Sequence, residues 1–104
     1  MLNIMEDVNQ RVEQAVIRGD TVKLGDMVRW MSGGTWTGIV KAIRPHRSSV
    51  DGYRSIWHDV FLQACDGKSF WLNEVECYGM TLATDEHVKL SRPVDGFPPA
   101  DYKK

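Results

Sequence analysis

Three histidines, two cysteines and two closely spaced glutamates are the side chains of this 104-residue sequence best suited to chemistry. His46, His58, Cys65, Cys77 and His87 are metal ligands by type. Their spacings match no zinc signature, in which paired ligands about two to four residues apart define each half of the site. No metal and no cofactor are expected. A Cys–His nucleophilic pair is open to Cys65 or Cys77, but Cys65 reads as a small apolar residue at a strand end, beside a tight turn. Glu74 and Glu76 stand among Leu72 and Val75 and read as the exposed side of a turn, not as an acid–base pair. Gly33-Gly34 lacks the spacing of a phosphate cradle. The chain is expected not to be an enzyme.

Charge is distributed less evenly than its total of −1 suggests. From Lys41 to His58 the bases Lys41, Arg44, Arg47 and Arg54 meet only Asp51, with His46 and His58 besides. From Asp66 to Glu86 the acids Asp66, Glu74, Glu76, Asp85 and Glu86 meet only Lys68. A basic side and an acidic side are expected, while the near-neutral total gives no simple argument for a nucleic-acid partner. Two cysteines make no disulfide framework. No apolar run reaches the roughly 18 residues of a membrane span, and with Glu6 and Asp7 where a secretory signal would carry basic residues, none is expected. Cys65 and Cys77 as reduced thiols, in a cytoplasmic protein, are the resulting expectation.

The elements that must position these residues follow from hydrophobic period. The length suits one domain with a modest core. Met1, Ile4, Met5, Val8, Val12, Ala15 and Val16 recur at spacings of three and four, which predicts an amphipathic helix over 3–18. Asn3 and Glu6 would cap it and Gly19 would end it. From Thr21 the period changes to two. A first strand carries Val28 and Trp30, Ser32-Gly33-Gly34 turns the chain, and a second strand runs from about Thr35 to Arg44. Pro45 then ends regular pairing.

A polar, basic loop leads into a third strand, Ile56 to Ala64. Asp66-Gly67 is a strong hairpin signal, returning a fourth strand over Lys68 to Leu72. "NEVE" reads as a short helical turn and Val88-Lys89-Leu90 as a fifth strand. Ile56, Val60, Leu62 and Ala64 occupy one face of the third strand or its near neighbours, but Trp57 and Phe61 lie on the other, so something must cover that second face. The predicted helix is the available cover. Residues 93–104 hold three of the four prolines without periodicity and are expected to form a flexible tail. The expected organisation is a helix over 1–19, a barrel over 20–92 and that tail.

"GDMVRW", "TWTGIVKAI", "DVFLQACDG" and "FWLNEVE" together resemble the small five-stranded barrels of the Src-homology-3, Tudor and KOW type. The likeness is one of pattern and covers roughly residues 24–92. It implies a mostly β fold with one α-helix: a five-stranded Tudor-like β-barrel carrying an N-terminal amphipathic helix. In such barrels the loops after strands one and three form an aromatic-lined binding surface. The corresponding residues here are Trp36, Tyr53, Trp57 and Phe70, with Trp71 nearby; Trp30 is placed in the core. The KOW likeness also implies contacts with nucleic acid. Arg44, His46, Arg47 and Arg54 are placed to meet phosphates, and Tyr53 or Trp57 to stack on a base.

Two functions remain open at this stage. One is a non-enzymatic protein-interaction module that acts as an adaptor, an assembly subunit or an inhibitor of a larger protein. The alternative is a nucleic-acid-associated barrel using the basic 41–58 segment. A monomer is expected, with a homodimer through the N-terminal helix as the other arrangement.

Overall fold

The computed structural model describes residues 11–46 and 57–102. Strands β1 (Gln14–Ile17) and β2 (Asp20–Lys23) form a two-stranded sheet. Strands β3 (Met27–Met31), β4 (Thr35–Pro45), β5 (His58–Ala64), β6 (Ser69–Leu72) and β7 (Thr81–Leu82) form a second sheet in the order β6-β5-β4-β3-β7. A 3-10 turn, Val75–Tyr78, and helix α1, Asp85–Leu90, complete the described elements. The fold is mostly β, but the five-stranded sheet is open and does not close into the expected barrel. Among the described residues no helix is long and apolar enough to cross a membrane.

The expected helix over 3–18 is corrected where it can be seen. Residues 1–10 lie outside the described residues, and 14–17 form β1. Ile17 pairs with Asp20, leaving Arg18 and Gly19 as a two-residue turn with φ of 50° and 87°. Glycine reaches that left-handed region without steric cost, so Gly19 reverses a hairpin where a helix stop was expected. Ala15 and Ile17 face inward and Val16 outward, the period of a strand. Of the four-three spacing Met1, Met5, Val8, Val12 and Ala15 that suggested a homodimer seam, only the step from Val12 to Ala15 lies within the described residues, and there Ala15 belongs to β1 and not to a helix.

The large sheet is apolar on both faces, and each face has its own cover. On one, Ile17 and Val22 of the hairpin pack with Val28, Trp30, Val40, Ile43, Val60 and Leu62, all at most 1% exposed. On the other, Met27, Ile39 and Cys65 pack with Phe97, flanked by Val88 of α1 and by Tyr102. The cover anticipated from the N-terminus thus comes from the β1–β2 hairpin and from the C-terminal region. The register shift between Val40 and Ala42 explains how β4 serves one core with both Val40 and Ile43. An extra residue reverses the inward–outward alternation at that point.

Two further expectations change. Val88, Lys89 and Leu90, read as a strand, belong to α1. Its start is fixed by a capping box in which the Thr84 hydroxyl accepts from the His87 N–H, and the His87 ring accepts from the Thr84 N–H. The pairing expected there falls instead to β7, whose Thr81 and Leu82 join β3. The proline segment, expected as a flexible tail, folds back along the sheet. The Val94 N–H bonds to the Cys65 carbonyl at 2.9 Å, and Phe97 is only 9% exposed.

Candidate functional site: an ionic cluster beside an arginine-stacked tryptophan

Cross-strand pairing places the site. In the β4–β5 register Arg44 stands opposite Asp59, and Pro45 opposite His58. The Arg44 Nε donates to Asp59 Oδ2 at 3.0 Å, and a His46 ring nitrogen lies 2.7 Å from Asp59 Oδ1. The Glu74 backbone N–H donates to that same Oδ1 at 3.0 Å. Asp59 is 3% exposed, so its charge is tolerated only because these donors replace water. The other ring nitrogen of His46 lies 3.0 Å from the Glu74 carboxylate, which makes a chain Arg44–Asp59–His46–Glu74.

A second pair lies alongside. Glu76 accepts from the His58 backbone N–H at 3.0 Å, and its other oxygen lies 2.9 Å from His58 Nδ1. Burial pushes the Glu76 carboxyl up. The hydrogen bonds from the His58 ring and backbone, a further backbone bond at Glu76 itself and the His58 charge outweigh it, and hold the group below the ordinary carboxylate range. The His46 N–H to Trp57 carbonyl bond, 2.7 Å, closes the strand pair next to this cluster.

The basic side and the acidic side therefore meet. Arg44, His46 and His58 from the basic segment are paired with Asp59, Glu74 and Glu76. Opposite strand ends bring together residues that are far apart in sequence, which a count of charge by segment does not reveal.

Aromatic residues continue the same outer surface. Phe61 and Trp71 are direct cross-strand partners with ring centroids 5.4 Å apart. The Arg44 guanidinium lies 4.0 Å from the Trp71 centroid and that of Arg11 5.4 Å. Each is within cation–π range, so Arg44 is held by a carboxylate and a ring at once.

The expected binding residues fall into separate groups. Trp36 stacks on Trp30 at 5.9 Å and meets Phe70 edge-on at 6.4 Å, while its ring N–H donates to the Ser32 carbonyl. Trp36 and Phe70 are thus brought together, packed against the core on the side of Trp30. Arg44 belongs to the ionic cluster, and Trp57 is 38% exposed just before β5. Arg47, Tyr53 and Arg54 lie outside the described residues. Asp59 was absent from the expected set, although Arg44 and Asp59 become opposite neighbours once the two strands are aligned. Among the described residues no group of three or more His, Cys, Asp or Glu side chains is arranged to hold a metal ion.

No protein-family model matches the chain, nor does any curated protein or solved structure.

Proposed function

We propose that the chain is a protein-interaction module. The observation that carries this reading is the mutual pairing of Arg44, His46 and His58 with Asp59, Glu74 and Glu76. Basic side chains engaged in this way have their polar atoms turned toward carboxylates of the same chain, which leaves them less available to phosphates. Large apolar side chains meanwhile face solvent, among them Val16 at 64%, Leu90 at 57% and Met31 at 48%. In this reading the chain acts on another protein as adaptor, assembly subunit or inhibitor. The likeness to Tudor and KOW barrels belongs to the same proposal and rests on the run of consecutive hairpins from β3 to β6.

Affinity capture of the tagged full chain from its native lysate, with and without nuclease, tests the reading. A stoichiometric protein that survives nuclease is expected. Recovery of nucleic acid, or of proteins that disappear on nuclease treatment, overturns it.

One observation favours the second reading, a nucleic-acid-associated domain. Arg11 and Arg44 lie over Trp71 beside Phe61, the mixture of cation and ring on which single strands stack. Both arginines already cover that ring, which is why this reading ranks second.

A further inference from the structure

The C-terminal segment is seated on the sheet by few anchors. Met27, Ile39 and Cys65, each at most 8% exposed, floor an apolar groove, and Phe97 fills it. The Val94 N–H to Cys65 carbonyl bond ties the segment to the sheet, whereas the N–H groups of Phe97 and Tyr102 bond to Val94 and Pro99 within the segment itself. Val94, Asp95, Gly96, Pro98, Ala100 and Asp101 are exposed. Clefts of about 270 Å³ and about 150 Å³ lie on either side of Tyr102, so its ring is incompletely enclosed. Phe97 deeply buried and Tyr102 half-buried beside it, the latter hydrogen-bonded to the Met27 backbone, anchor a segment whose remaining side chains are largely exposed, which is how a bound peptide sits and contrasts with the laddered strands beneath.

We propose that residues 93–102 are a tethered ligand, a strap that fills the Met27–Ile39–Cys65 groove and yields it to a partner segment of the same chemistry, an aromatic side chain followed by prolines. The inference rests on the protein-interaction reading. Prolines suit such an occupant, because they are extended before binding and lose little freedom when ordered. The strap itself sets the threshold for a competitor. A tethered segment acts at a local concentration of about millimolar, so a partner segment of equal intrinsic affinity must itself reach about millimolar concentration to displace it, and one that binds more tightly needs proportionately less.

Cys65 lies under Phe97 and Cys77 is exposed, which gives one chain both a reporter and its control. Alkylation of the full chain, followed site by site by mass spectrometry, is expected to label Cys65 at least ~10-fold more slowly than Cys77. Phe97→Ala is expected to raise the Cys65 rate about 10-fold and leave Cys77 unchanged. The synthetic peptide PVDGFPPADY at about 1 mM is expected to restore the protection, and the same peptide with alanine for its phenylalanine is not. A Cys65 rate in F97A that ignores the first peptide overturns the proposal.

Amide exchange of the unaltered chain gives a test that does not depend on the variant folding. The Val94 and Phe97 amides are expected to exchange faster than those of the β4–β5 ladder. Exchange of both sets at one common rate would show the strap opening only with the whole fold, and that too overturns the proposal. Either failure removes this groove alone, and a nuclease-resistant partner captured from lysate would still support the wider reading.

Discussion

Asp59 accepts from Arg44, from His46 and from the Glu74 backbone while almost wholly buried, and through these bonds it ties β4, β5 and the turn before the 3-10 segment into one unit. Glu76 does the same for the start of β5, holding both the backbone and the ring of His58. Its folded-state pKa is depressed, so its contribution to stability is fully present above the unfolded pKa and is lost as pH falls through the folded value. The denaturation midpoint of the unaltered chain is therefore expected to decline as pH falls below about 5, and Glu76→Gln to flatten part of that decline. Urea titrations at stepped pH measure both slopes. At this scale the sequence was informative about residue type and silent about partners. His46, His58, Glu74 and Glu76 all stood out, but as members of opposed charged regions, because nothing in a linear count places Glu74 beside His46.

Elements were legible where a turn announced them. Gly33-Gly34 and Asp66-Gly67 mark hairpins that form as expected, β3–β4 and β5–β6. The N-terminal element was misjudged because Val12, Ala15 and Val16 also fit a helical spacing. Ile17, which that stripe leaves out, is fully buried and is the residue that discriminates between the two periods. The strand expected at Val88–Leu90 does not form, for a related reason. The capping box at Thr84 uses His87 where the usual signature has Glu or Gln, so the start of a helix was not apparent. Gly19 tests the revised element directly. Its φ of 87° is unfavourable for any residue with a Cβ, and nothing lies within 4 Å of where that Cβ would be. Gly19→Val is expected to lower stability by about 1–2 kcal/mol through backbone strain alone. Chemical denaturation measures the loss, and an unchanged midpoint would contradict the hairpin.

For the whole molecule, the open sheet explains why both of its faces are apolar. The β1–β2 hairpin covers one face, while α1 and the proline segment cover the other. The need for a second cover was readable in β5, but its source was not, because a segment rich in proline shows no period from which packing can be inferred. The arrangement concentrates positive and negative side chains in one cluster and leaves apolar side chains at the periphery. That distribution is the reason to expect a protein partner ahead of nucleic acid. The direct measurement is fluorescence anisotropy of labelled single-stranded RNA and duplex DNA titrated with the full chain at about 50 mM salt, where even nonspecific binders associate strongly. The account predicts no saturable binding up to about 100 μM protein, and saturable binding that weakens steeply between about 50 and about 200 mM salt would contradict it.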